Sequence, residues 1–120
     1  MAKLTNIEYL GGQDLSLDLT DNFDAWVSDT YYLESHNQLG VFTMQFNTTG
    51  AAGAKVKFEQ SLDGVKWDKI KDCLDTVIEV TLNETCTVPN MVNLYAPMFR
   101  VIGSVTGSAG TLDEILILNK

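Results

Sequence analysis

Residues 39–70, LGVFTMQFNTTGAAGAKVKFEQSLDGVKWDKI, constrain the fold more than any other stretch. Phe42, Met44 and Phe46 fall on one side of an extended chain, with Thr43 and Gln45 on the other. Ala54, Val56 and Phe58 repeat the pattern against Lys55, Lys57 and Glu59. A period of two with one apolar side is what a half-buried strand requires, because successive side chains point to opposite faces. Asp63-Gly64 follows, between Leu62 and Val65. A two-residue type I′ hairpin turn needs positive φ at both centres, which Asp-Gly supplies at little steric cost. Trp67 then sets a large ring on the returning strand. The stretch therefore predicts three consecutive antiparallel strands, with Asp63, Gly64 and Trp67 forming the structural turn.

The remaining chain carries the same period in shorter pieces. Leu15, Leu17 and Leu19 alternate with Ser16 and Asp18 after Gly11-Gly12, so residues 13–19 read as a strand, preceded by residues 1–12 as an N-terminal arm. Asp21-Asn22 marks a turn, residues 25–27 a short strand, and residues 31–33 another. Ile78, Val80 and Leu82 are expected inward, with Glu79 and Thr81 outward. Residues 98–103 read as a strand, entered through Pro97, in which Arg100 sits between Phe99 and Val101; a proline suits a strand start or an edge. Residues 107–110 look like a small-residue hairpin loop. In the last strand, residues 111–118, Leu112, Leu116 and Leu118 fall on one face, and Ile115 and Ile117 on the other. Two apolar faces predict a central strand, or one buried against a partner. Apolar residues nowhere recur at helical spacing beyond one turn near residues 70–75. About eight short strands separated by Gly, Asn, Asp and Pro turns predict an all-β chain: a single antiparallel β-sandwich, jelly-roll-like, over residues 1–120.

At 120 residues the chain matches one domain, large enough for a core without metal or disulfide staples. Its net charge of −8 is unevenly spread: −6 over residues 1–54, +2 over residues 55–71 and −4 over residues 72–120. An acidic surface repels phosphate backbones, so nucleic acid is not an expected partner. The cluster Lys55, Lys57, Lys66, Lys69 and Lys71 reads as the solvent face of a hairpin, or else as a patch complementary to an acidic protein surface. No apolar run approaches the roughly 18 residues of a membrane span, and MAKLTNIEYLGG has no apolar core of a signal peptide, so neither a membrane nor secretion is expected. Cys73 and Cys86 are accordingly expected as buried, reduced thiols rather than a disulfide.

A search for chemistry finds little. His36, the one histidine, lies in the polar turn ESHNQ without a nucleophile signature. Asp18, Asp21 and Asp24 lie three apart but lack the spacing of a calcium loop, and Cys73, Cys86 and His36 lack that of a zinc site. No glycine-rich phosphate loop is present. Neither catalysis nor a cofactor is expected. Trp26, Tyr31, Tyr32 and Trp67, with Tyr95, could offer rings to a sugar, since an aromatic ring has an apolar face and Tyr a polar tip; packing is the plainer use. Arg100, within an apolar strand, is expected to reach an acidic residue on a neighbouring strand or to lie at a subunit contact.

The segments VKFEQSLDGVKWDKI (residues 56–70) and APMFRVIGSVTGSAGTLDEIL (residues 96–116) carry a resemblance. A strand ending in Ser-x-Asp-Gly-x-x-Trp, then a strand with Arg between apolar residues, a glycine-rich turn and a last strand resembles the β-sandwich proteins of tailed-phage virions, those of crAss-like phages among them. It also resembles, more weakly, the discoidin-like carbohydrate-binding sandwiches, from which the chain departs in its shortness and its lack of a flanking cysteine pair. The first likeness implies a head decoration, auxiliary capsid or head-fibre subunit, assembled in the host bacterial cytoplasm and located on the virion. Its partners would be the major capsid protein or other virion proteins, together with copies of itself, a trimer being favoured. Under that reading Trp26, Tyr31, Tyr32, Tyr95, Arg100, Ile115 and Ile117 are candidate interface residues. The second likeness implies a carbohydrate-binding module using the same rings.

Overall fold

The computed structural model describes residues 8–32, 42–89 and 96–119. These hold nine strands: β1 (Glu8–Asp18), β2 (Tyr31–Tyr32), β3 (Phe42–Ala52), β4 (Lys55–Ser61), β5 (Asp68–Lys69), β6 (Glu79–Thr81), β7 (Cys86–Thr87), β8 (Met98–Val105) and β9 (Ala109–Asn119). They form two antiparallel sheets, a four-stranded one in the order β1-β9-β3-β7 and a five-stranded one in which β2-β8-β4-β5 is extended by β6 beside β4. The chain is an all-β sandwich.

Alternation identifies the inward residues. Met44 and Phe46 of β3, Val56 and Phe58 of β4, and Phe99 and Val101 of β8 are all fully buried. The Phe46 and Phe58 rings, one from each sheet, meet across the middle with centroids 6.2 Å apart. Val80 and Ile78 pack against this core, Leu82 closes it beneath β6, and Glu79 and Thr81 face out as expected.

Strand pairing departs from the expectation. β3 and β4 are consecutive but belong to different sheets, so residues 42–61 form no hairpin. The same is true of β8 and β9, whose link at residues 106–108 crosses between the sheets. The two crossovers pack on each other: Ser108 N–H donates to the Ala52 carbonyl at 2.7 Å, and Gly107 N–H to that of Leu19 at 2.7 Å. Gly110, at φ 97°, lies so close to the first crossover that a Cβ there would sit 2.5 Å from Ala51 Cα. Alternation reports which way a side chain points and is silent on which strand lies next to it.

β9 is central, flanked by β1 and β3. Its expected two-faced pattern is corrected by a bulge: Asn47 opposes Glu114 and Thr48 opposes Leu112, so Asp113 has no opposite residue. The inserted residue changes the parity of the strand. Leu112, Ile115 and Ile117 all point inward and are fully buried, with Leu116 half-buried on the other side. Thr49 Oγ1 and Thr111 Oγ1 donate to the two carboxylate oxygens of Asp113, at 2.6 and 2.8 Å. Those two bonds hold its carboxyl below the usual Asp range.

Three smaller corrections follow from local packing. Residues 25–27 form no strand: Phe23–Ala25 is a 3-10 turn, and Val27 makes a single bridge to Ile102. The turn is set by Asn22 in the left-handed region (φ 61°) and by burial of the Phe23 ring, on which Trp26 stacks at 5.5 Å. Gly11 and Gly12 lie inside β1, so residues 8–12 belong to the sheet rather than to an arm. Cys73 and Cys86 are free, yet exposed rather than buried, one in the turn after Asp72 and the other on the short edge strand β7.

Candidate functional site

The outer face of the five-stranded sheet is where the chain gathers its unusual side chains. Residues of β4 and β8 that alternate with the core, namely Lys55, Lys57 and Glu59, and Met98, Arg100 and Ile102, point away from it. Register sets them in cross-strand rows. Tyr32 of β2 opposes Met98, which opposes Ser61. Arg100 opposes Glu59, which opposes Lys69. Val27 bridges Ile102, which opposes Lys57, itself opposite Glu79.

The middle row is an ion-pair network. Arg100 Nε donates to Glu59 Oε1 at 2.8 Å, and Lys69 Nζ donates to Oε2 at 2.9 Å, so each carboxylate oxygen has a cationic partner. Glu59 is covered by these partners, its side chain only 10% exposed. Burial pushes its carboxyl up, but hydrogen bonds and charge from Lys69 and Arg100 outweigh that and hold it below the usual Glu range. The Trp67 ring lies over the Arg100 guanidinium, 4.1 Å from its centroid, a cation–π contact. Arg100 thus reaches an acidic residue on the neighbouring strand, as its setting predicts. In the third row Lys57 approaches Glu79 at 4.0 Å, Lys55 reaches the same carboxylate from two residues away at 3.9 Å, and Ser104 Oγ donates to it.

The β4–β5 connection arches over this face. It is a loop of residues 62–67 rather than a two-residue turn. Gly64 has φ 76°, but Asp63 does not enter the left-handed region, so the turn is not type I′. Side chains shape it instead. Ser61 Oγ accepts from Gly64 N–H at 2.8 Å, and Asp63 Oδ1 accepts from Val65 N–H and Lys66 N–H at 2.8 and 3.0 Å. The Lys66 and Val65 amides and the Ser61 hydroxyl hold the Asp63 carboxyl below the usual range. Gly64 rests on Met98, whose Sδ would be 3.4 Å from an added Cβ. A hollow of about 400 Å³ opens beside the loop, lined among others by Gln60, Leu62, Asp68 and Ala96. Leu62 and Val65 stand 78% exposed in the loop, and Leu74 81% exposed in the turn that follows β5.

Among the described residues Trp26, Tyr31 and Tyr32 form no shared ring platform. Tyr31 is buried against Phe99, and its hydroxyl is pushed up to about 12 by burial and by the Asp29 charge. Trp26 is half-buried beside Phe23 and packs on the core. Tyr32, on the opposite side of β2 from Tyr31, is 62% exposed. Tyr95 and His36 lie outside the described residues. Ile115 and Ile117 are fully buried in the core of the chain. Glu59, Met98, Ile102 and Val27 are the residues of this face that sequence reading did not single out, while Lys69 was already placed in the outward lysine cluster. The outward parity of Glu59, Met98 and Ile102 was visible in their strands, but the neighbours that turn parity into rows were not.

Among the described residues no helix is long and apolar enough to cross a membrane. No protein-family model matches the chain, and no curated protein matches it.

Proposed function

We propose that the chain is a structural subunit of a tailed-phage virion, a head decoration or auxiliary capsid protein that works through protein–protein contacts and performs no catalysis. The observation that carries the reading is the outer face of the five-stranded sheet. It presents Tyr32, Val27, Met98 and Ile102 around the Trp67–Arg100 pair, on strands whose other side is a packed core. Tyr, Trp, Met and Arg are the residue types enriched at protein interfaces. A rigid face of this kind adds contact energy to a shell without first ordering itself. The partners under this reading are the major capsid protein or other virion proteins, with the chain itself a symmetric oligomer. The burial of Tyr31 and Trp26 weighs against the carbohydrate-binding alternative.

The test is a sedimentation gradient of the native source, with mass spectrometry for peptides of this chain in each fraction. Co-sedimentation with intact particles through a salt wash is the expected result. Recovery only in light fractions overturns the virion reading.

A further inference from the structure

The two broad faces of the sandwich differ in charge. The front, the outer face of the five-stranded sheet, carries Lys55, Lys57, Lys69 and Arg100 against Glu59 and Glu79, an excess of two positive charges. The back is the outer face of the four-stranded sheet. Its strands β1, β3, β7 and β9 contain no Lys or Arg at all, while Asp18, Asp113 and Glu114 sit on or beside it. Lys66 and Lys71, the other two cations among the described residues, lie on loops of the five-stranded sheet that also carry Asp63, Asp72 and Asp75, with Lys71 paired to Asp75 at 3.7 Å, so the cationic excess belongs to the strands themselves.

We infer that a second copy of this chain is the occupant of the front face, and that it docks by its back. This rests on the reading above that the front is a contact surface, and it names the partner. Front-to-front docking would oppose two cationic faces, and back-to-back docking two acidic ones. Like-charge juxtaposition of that kind costs several kcal/mol and acts as a bar to the wrong arrangement. Front-to-back docking sets opposite charges together. The apolar and aromatic groups of the front, Tyr32, Val27, Met98 and Ile102, then meet a back face on which Leu116 is half-buried between polar neighbours. Area is sufficient: the molecule measures 39 × 36 × 25 Å, and a broad face of that size exceeds the roughly 800 Å² per partner of a standard interface. Such a contact is heterologous. Repetition closes it into a ring or runs it into an open file, according to the rotation per copy.

The test uses the purified chain alone. One variant reverses the front (Lys55→Glu with Lys57→Glu), the other the back (Asp18→Lys with Glu114→Lys), and sedimentation velocity follows the self-association of each. The unaltered chain is expected to associate as its concentration rises. Each variant alone is expected to lose association by at least about tenfold, since both its faces then carry one sign. An equimolar mixture is expected to regain it, because each variant's unaltered face still meets a complementary one. A chain that stays monomeric throughout, a variant that associates undiminished, or a mixture that fails to recover overturns the inference. Should a reversed chain not fold, judged by its melting curve, single replacements serve instead, with both native cysteines changed to Ser. Lys57→Cys is expected to cross-link to Glu114→Cys but not to itself, and self-cross-linking overturns the inference. A monomeric chain that still co-sediments with particles removes this inference and leaves the virion reading. A stacking chain absent from particles does the reverse.

Discussion

The two sheets solve one problem by different means. In the four-stranded sheet, three of the four strands run for eleven residues, and all its pairings join distant parts of the chain. Its outer face is an acidic, hydrogen-bonded surface: Gln45 Nε2 donates to Asn47 Oδ1 at 2.8 Å, and Asn47 Nδ2 donates to Glu114 Oε1 at 2.9 Å. The five-stranded sheet has two substantial strands, β4 and β8, and three of two or three residues each. Its outer face is held by ions and rings, and a loop arches across it. Both sheets feed one core, so the difference lies wholly outside it. One sheet is finished outside with acidic and amide groups bonded to one another, and the other keeps apolar and cationic groups together.

The largest expected effect tests whether the sheets share that core. Phe46→Ala and Phe58→Ala should each cost ~3–5 kcal/mol, and the double variant should cost about 0.5–1.5 kcal/mol less than their sum, because the two rings touch. Chemical denaturation followed by fluorescence and circular dichroism measures all three. Two separate transitions would break the comparison by making the sheets independent units. Next, Gly110→Ala at the packed crossovers should cost ~2–4 kcal/mol, combining left-handed strain with the close approach to Ala51. A smaller loss would mean that the seam can open without disturbing either sheet.

The outer faces separate in the next pair of variants. Glu59→Gln withdraws the charge that Arg100 and Lys69 share and should cost about 1.5–3 kcal/mol, the range for a hydrogen bond to a charged group. Glu114→Gln, which keeps an acceptor for Asn47, should cost less than about 0.5 kcal/mol. Equal losses would erase the distinction. Gly64→Val should cost ~1–2 kcal/mol, since a β-branched residue resists positive φ, and it also presses on Met98. The melting temperature reads each of these.

Effects of pH are the smallest and are shared by both sheets. Asp18, Glu59, Asp63 and Asp113 all have carboxyls held below their ordinary values, which are 4.5 for Glu and 3.8 for Asp. The unfolded chain then takes up protons first as pH falls, so their stabilisation is complete above that range and is lost as pH drops through the folded values. Glu59→Gln should flatten part of the acid limb of a plot of melting temperature against pH. Tyr31 acts at the other end. Its hydroxyl is raised from 10.0 to about 12, so its contribution to stability should fall as pH rises through that interval, and Tyr31→Phe should remove that part of the alkaline limb.

Much of the fold was legible in the sequence because half-buried strands leave a period of two wherever they run regularly. Residues 44–46, 54–58 and 78–82 show it, and each points as expected. What escaped was non-local or broke the period. The glycine-bearing stretch ending at Gly53 looks like a hairpin, yet the chain crosses between the sheets at Gly53-Ala54, because sheet membership depends on β9 and β8 far along the chain. The Asp113 bulge put Ile115 and Ile117 on the wrong face in a strict two-residue count. Phe23 entered the core from a 3-10 turn, whose one local sign was Trp26 three residues on. At the surface, Arg100 was legible as a lone charge among apolar neighbours, whereas Glu59 became its partner, shared with Lys69, only through register.

The central position of β9 has a consequence for the order in which the molecule can be assembled. A ribosome delivers β1 and β3 long before residues 109–119 exist, and neither strand pairs with the other; both pair with β9. The inward residues of β3, Met44 and Phe46, therefore have only the two-residue strand β7 beside them until β9 arrives. Domains commonly fold as synthesis proceeds, from the N-terminal side. Here the keystone is delivered after every stone it holds: the five-stranded sheet can pair first, while β1 and most of β3 wait for β9.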